Sequence, residues 1–211
     1  MADEGILIVI SGPSGSGKST VVSKLLKNPR YAFSVSATTR APRVGEEHGR
    51  HYFFISKEDF RKKIDDGQML EYAQYVGNFY GTPREPVMNK LSSGHHVVLE
   101  IETNGALQVK KAFPEAVMIM ILPPSMQTLE ARLRGRRTNT EEDIMKRLAA
   151  AEREIQIAPQ YDYLVINDTV ENAVDQIETI ISTPGQRISP RIKNFKPHHF
   201  DKIIINRKAN S

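Results

Sequence analysis

Eight consecutive residues, Gly12-Pro13-Ser14-Gly15-Ser16-Gly17-Lys18-Ser19, match the pattern G-x-x-x-x-G-K-[ST] in full. That spacing can capture a phosphate. Its glycines let the backbone wrap until several N–H groups point at one anion, Lys18 adds a point charge, and Ser19 offers a hydroxyl to Mg²⁺. A glycine-rich turn that binds nothing is the plain alternative, and the flanks decide between them. Before the loop runs Ile6-Leu7-Ile8-Val9-Ile10, which reads as a strand, and after it Thr20-Val21-Val22-Ser23-Lys24-Leu25-Leu26 reads as a helix. Strand, turn and helix are the context the phosphate function needs.

Other residues have types that could do chemistry but patterns that leave the matter open. Arg40 and Arg43 stand three apart in a polar turn, and guanidinium forks suit phosphate oxygens; a solvated surface turn explains them equally well. Tyr52 and Tyr80, taken alone, read better as core residues with satisfied hydroxyls, and Glu71 alone is as readily an exposed strand residue. Glu100 ends an apolar run, where an acid is rarely structural. Arg132 and Arg136 are four apart and share one helix face, while Arg134 and Arg137 read as solvated. The pair His198-His199 has no third ligand near it in sequence, which argues against a metal site.

Stepping from residues to elements, Asn28-Pro29 stops the first helix, and residues 33–36 alternate as a short strand before the turn at 38–43. A charged loop at 45–49 leads to a second strand at 51–55. Ser56 with Asp59 forms the pattern of a capping box and opens a helix that ends at Gly67. Residues 69–76 read as a strand, Gly77-Asn78 as its turn, and 85–91 as a helix. Residues 36–90 therefore read as an inserted, mainly β lobe. The apolar runs at 97–101, 117–122 and 163–166 suit strands buried on both faces, with helical patterns between them. Residues 129–151 are helical but interrupted by Gly135 and Thr138-Asn139-Thr140, with Thr140 and Asp143 placed to cap the second piece. That arginine-rich excursion is a candidate lid.

The 211 residues suffice for one sizeable core with inserted subdomains, and 39% hydrophobic with 26% charged residues is ordinary for a soluble globular protein. No apolar run approaches the ~20 residues of a membrane span. The acidic opening predicts no secretory leader, and the lack of cysteine removes disulfides and thiolate chemistry. A cytoplasmic enzyme is expected. The net charge of +4 is uneven: residues 185–211 hold seven Lys/Arg and one acid, leaving the rest slightly acidic. The body thus shows no general field for nucleic acid.

Taken together, these residues resemble the guanylate kinase family of nucleoside monophosphate kinases over about residues 5–182. The likeness rests on S-G-P-S-G-x-G-K at 11–18, S-x-T-T-R-x-P-R at 36–43 and Y-x-F at 52–54. It continues through E-Y-A-x-Y-x-G-N-x-Y-G-T at 71–82, E-I-E-x-x-G-A at 100–106, R-x-x-x-R at 132–136, and Y-D-Y at 161–163 with N-D at 167–168. The ordered series is far more specific than the phosphate loop alone.

The resemblance implies an α/β fold: a P-loop three-layer core with a central parallel sheet, an inserted mainly β GMP-binding lobe and a helical lid. It divides residues 5–184 into a core (5–35, 91–125 and 161–184), a lobe (36–90) and a lid (126–160), followed by a basic tail at 185–211. The implied reaction is ATP + GMP giving ADP + GDP with Mg²⁺. ATP falls to Gly12, Pro13, Ser14, Gly15, Ser16, Gly17, Lys18, Ser19, Thr20 and Asn167, and the metal to Ser19 and Glu100. GMP falls to Ser36, Arg40, Arg43, Tyr52, Glu71, Tyr80, Thr82 and Glu102. Lys18, Arg40, Arg132, Arg136 and Arg147 carry the developing charge. The implied partners are these two nucleotides, with no nucleic acid and no membrane, in a monomer or homo-oligomer.

Three positions depart from the family's pattern: His51 for Asp, Asn104 for Gln, and Arg137 for Gly. None removes a residue assigned to phosphate or base. In the tail, residues 200–206 could add a strand, or the segment could be a disordered basic tail. Two other functions fit the fold class. A scaffold-type peptide-binding module would carry a degraded loop, and a kinase of another small acceptor would lack the set Ser36, Glu71 and Thr82.

Overall fold

A computed structural model describes residues 5–135 and 140–182. They form two compact units whose boundary falls within the first strand. Of these described residues, one unit holds those up to Val9 together with Leu26–Ala116; the other holds Ile10–Leu25 and those from Val117 on.

The continuous apolar runs become the strands of a five-stranded sheet. These are β1 (Leu7–Ser11), β2 (Tyr31–Phe33), β7 (His96–Glu100), β8 (Val117–Leu122) and β9 (Tyr163–Ile166). Their order is β2-β7-β1-β8-β9, with β2–β7 and β8–β9 paired in parallel. Every residue of β1 is buried, as are Val97, Val98 and Leu99 of β7 and Met118 to Leu122 of β8. Such strands need apolar residues on both faces, which is why they show no alternation. Helices α1 (Lys18–Leu25), α4 (Thr103–Ala112) and α7 (Val170–Ser182) lie between or after these strands in the chain. The alternation of strand and helix is the α/β arrangement expected.

A second sheet lies wholly in the first unit. It comprises β3 (Ala37–Thr38), β4 (Phe53–Phe54), β5 (Met69–Tyr75) and β6 (Asn78–Pro83) in the order β4-β3-β6-β5. Two helices accompany it, α2 (Lys57–Asp65) and α3 (Arg84–Ser92). The Ser56 hydroxyl accepts from the Asp59 N–H, as the capping pattern predicted. Phe60 of α2 is fully buried and stacks on Phe79 of β6 at 5.4 Å between ring centres.

Three local expectations are corrected here. The strand expected at 33–36 is instead two: β2 ends at Phe33 in the larger sheet, and β3 in the smaller runs over Ala37–Thr38, reaching only the first residue of the segment read as a turn. The strand expected at 51–55 shrinks to Phe53–Phe54, because its partner β3 offers only two residues to pair with. The hairpin turn is Val76-Gly77, with Asn78 already paired to Tyr75. Both turn residues have positive φ, 46° and 73°, the twist a two-residue hairpin loop requires.

In the second unit the predicted helical excursion is indeed split, into α5 (Met126–Gly135) and α6 (Glu141–Gln156). Thr140 and Asp143 form a reciprocal capping box at the start of α6. Arg134 is not simply solvated: it bonds Glu130 one turn back and Glu141 at the start of α6, and both pairs raise its affinity for its proton. Among the described residues, no helix is long and apolar enough to cross a membrane. Arg136, Arg137 and the tail features at 185–211 lie outside the described residues.

Candidate active site

Within the first unit, the residue before β3, the residue before β4, β5 and β6 converge with the end of β7 and the start of α4 on a cavity of about 480 Å³. Ser36, Tyr52, Glu71, Tyr80, Glu100 and Glu102 all line it. Residues more than sixty positions apart in the chain thus share one wall.

Glu71 is the buried carboxylate among them. It is 6% exposed and accepts a hydrogen bond from the Thr82 hydroxyl at 2.7 Å. Antiparallel pairing sets Glu71 directly opposite Thr82, so the contact follows from register. Burial pushes the Glu71 carboxyl above its ordinary range; the Thr82 hydroxyl and N–H pull the other way, and the charge of Glu102 adds to the rise. One side of the carboxylate rests on Gly105 of α4, where a Cβ would stand 2.7 Å from Oε2. Any larger residue there would displace the carboxylate.

At the same cavity's edge Tyr52 and Tyr80 meet edge to face, 6.2 Å between ring centres. The Arg40 guanidinium lies over Tyr52, 5.5 Å from its centre, and forks onto Glu46 with both contacts at 2.9 Å. Glu46 also accepts from the Arg43 N–H at 2.7 Å. The Arg40 fork, then the Arg43 N–H, holds the Glu46 carboxyl down to about 2. The Arg43 side chain itself is exposed. Glu46 was not singled out from sequence; its only signal was an acid in a charged loop six residues after Arg40.

The second unit builds the phosphate loop. Gly12, Gly15 and Gly17 have φ of 138°, 95° and 89°, conformations open to glycine and strained for other residues. Space is as tight as angle: a Cβ on Gly12 would sit 2.1 Å from the Ile121 carbonyl, and one on Gly17 2.3 Å from Asn167 Nδ2. Lys18 donates to the Gly12 and Pro13 carbonyls, folding its ammonium back over the loop. Ser16 Oγ is buried and has no hydrogen-bond partner among the described residues, an orphan that a phosphate oxygen would satisfy.

Three of the predicted residues gather on this loop. Arg132 donates to the Ser16 carbonyl at 3.2 Å and to the Asn167 carbonyl at 2.9 Å. Asn167, 4% exposed, donates through Nδ2 to the same Ser16 carbonyl at 2.8 Å. Arg147 reaches Ser14 Oγ at 2.8 Å. Ser19 and Thr20 stand exposed in the first turn of α1. Below the loop, Ser11 and Tyr161 share a hydrogen bond between buried hydroxyls, and burial pushes the Tyr161 phenol up to about 12.

The guanylate kinase family model matches residues 4–184. A guanylate kinase of Clostridium tetani is 50% identical over 207 residues, covering 98% of this chain and 96% of that one. That of Clostridium acetobutylicum is 48% identical, with 92% of each covered. The chain belongs to the guanylate kinase family. A crystal structure of the guanylate kinase from Anaplasma phagocytophilum superposes with a TM-score of 0.66 at 33% identity, covering 89% of each chain. Family membership turns two sets of polar residues into one expectation, an acceptor set in one unit and a phosphate-loop set in the other.

The resemblance assigns Mg²⁺ to Ser19 and Glu100, one in each unit. Ser19 is an exposed hydroxyl and Glu100 a half-buried carboxylate ending β7. Both are hard oxygen donors of the kind Mg²⁺ takes, so the residue types fit.

Proposed function

We propose that this chain transfers the γ-phosphoryl group of ATP to GMP, giving ADP and GDP. The observation that carries the reading is the buried Glu71 carboxylate, held by Thr82 and facing a cavity with Ser36, Tyr52 and Tyr80. Guanine presents N1–H and an exocyclic N2–H₂ on one edge, two donors that one carboxylate can accept together. Adenine offers a lone pair at N1 and would leave the carboxylate unpaired, a loss that a buried site makes large.

Each side chain then has a task. Ser36 and Thr82 add hydroxyls beside the base, and Glu102 faces the amino group. Arg40, Arg43, Tyr52 and Tyr80 receive the GMP phosphate; Arg40 already forks around a carboxylate, a geometry that also matches a phosphate. Residues 36–90 serve as the acceptor lobe, 126–160 as the lid, and the remainder of 5–184 as the core. Gly12 to Thr20 cradle the donor phosphates, with Lys18 as their fixed charge and Asn167 bracing the loop. Arg132 and Arg147, already on the loop, are placed to neutralise charge as the phosphoryl group leaves, and Arg136 is assigned with them. Mg²⁺, held through Ser19 and Glu100, would offset the charge of the ATP phosphates. Phosphoryl transfer asks a protein for position and charge, and these residues supply both. A cytoplasmic location accompanies the reading, supported by its two nucleotide substrates.

An ADP-release assay with ATP and Mg²⁺ tests this directly. Turnover on GMP should exceed that on AMP, CMP or UMP by roughly 10²-fold or more. Equal rates on AMP, or none on GMP, would sink the assignment. Lys18→Ala should lower kcat by about 10²-fold or more while circular dichroism remains that of the folded chain.

A further inference from the structure

β5, which carries Glu71, is an edge strand with a local irregularity beside that residue. It has β6 on one side and, among the described residues, no strand on the other. Its register is also irregular just where it matters: Met69 pairs with Pro83 and Glu71 with Thr82, so β5 advances two residues while β6 advances one. That is a bulge, with Leu70 as the extra residue. Because side chains alternate faces along a strand, a slip of one residue would turn Glu71 away from the cavity.

The open edge is closed by one side chain. Gln108 Nε2 donates to the Tyr72 carbonyl at 3.0 Å, and Gln108 Oε1 accepts from the Tyr72 N–H at 3.1 Å. A side-chain amide thus pairs with the backbone as a neighbouring strand would, at the residue immediately after Glu71. Gln108 sits three positions beyond Gly105 on α4, hence on the same helix face. That face sets Gly105 against the Glu71 carboxylate and Gln108 against the Tyr72 backbone. The hairpin turn and the pairing from Glu71 to Tyr75 set the register toward β6; on the other edge of β5, beside the bulge, the Gln108 amide holds the backbone.

We propose that Gln108 is a positioning residue for base selectivity. It clamps the backbone of β5 at Tyr72 so that Glu71 is presented to the guanine edge, without touching the nucleotide itself. The inference rests on Glu71 reading guanine, as argued above. The clamp is a bond to main chain, so it depends on the amide of Gln108 and not on the side chain at position 72.

Two variants separate the clamp from simple packing. Gln108→Leu keeps the size and loses both bonds, and Gln108→Ala removes the side chain. In both, KM for GMP should rise about tenfold with KM for ATP unchanged. Preference for GMP over IMP, which lacks the 2-amino group, should fall together with it. The Tyr72 amide should lose protection in hydrogen exchange. In a Glu71→Gln background the further substitution Gln108→Leu should change KM for GMP by less than about twofold, because the clamp acts through Glu71. If Gln108→Leu retains the GMP KM, the GMP/IMP ratio and the Tyr72 protection, the clamp is refuted. A drop in kcat on every acceptor, with selectivity intact, would likewise refute it by showing a purely structural role. A wild-type chain that does not turn over GMP overturns the functional reading instead; Tyr72 protection in Gln108→Leu then still decides whether the amide holds the edge.

Discussion

A carboxylate buried beside a second acid is an unfavourable arrangement unless a ligand uses it, and Glu71 is in that position. Its carboxyl is raised by burial, so between the ordinary value and the raised one the folded chain holds a proton that the unfolded chain has lost. The stability this group contributes is therefore present at low pH and is lost as pH rises through the raised value. GMP binding should run the opposite way, because only the ionised form accepts from both guanine donors. Lowering the pH from about 7 toward about 5 should raise KM for GMP in the wild type. Over the same range the thermal midpoint should move upward relative to Glu71→Gln. That variant should flatten both trends and cut the GMP/AMP preference by roughly tenfold or more. Identical KM–pH profiles for the two proteins would remove Glu71 from the base-reading set. Glu71 could be singled out from sequence because its motif is long, and its partner Thr82 belongs to that same motif. Gln108 and Glu46 could not, since each acts through a contact whose partner is fixed by register or loop shape.

Elements were legible where the chain states its own terms. The apolar runs, the capping residues Ser56 and Thr140, and the glycine spacing of residues 12–17 each carry their physical cause locally. Boundaries failed where pairing sets them: β3 pairs with β4 on one side and β6 on the other over just two residues, which neither segment shows alone. The phosphate loop gives a prediction at this scale. Gly12 combines a φ of 138° with a backbone carbonyl of β8 at 2.1 Å from any added Cβ. Unlike a flexible side chain, that carbonyl belongs to the fully buried Ile121 of a sheet strand and has little room to yield. Gly12→Ala should accordingly push the loop off β8 and raise KM for ATP by about tenfold or more, leaving KM for GMP near its wild-type value. Equal losses for both nucleotides would mean that the substitution disturbs the fold and not the loop.

For the whole molecule, alternating strand and helix patterns made the α/β class evident, whereas the division within β1 had no counterpart in the sequence. Its consequence is that the residues proposed for GMP fall in one unit, and those proposed for the ATP phosphates in the other. Ser36 to Glu102 lie in the first, and the loop with Arg132, Arg147 and Asn167 lies in the second. Each set makes its contacts within its own unit: Glu71 with Thr82 and Gly105, Asn167 with Ser16. Each substrate should therefore bind without the other and stabilise chiefly the unit that holds it. A ligand at a hundred times its Kd adds about 2.7 kcal/mol to the folded state it binds. With GMP alone, hydrogen exchange should slow at β5, β6 and the start of α4. With a non-hydrolysable ATP analogue and Mg²⁺, it should slow at residues 12–20 and around Asn167. Protection by GMP confined to the loop, or by the ATP analogue confined to β5 and β6, would reverse the assignment of donor and acceptor. If neither ligand protects any amide until both are present, then the sites are not preformed within their units, and independent binding fails as an account of this fold.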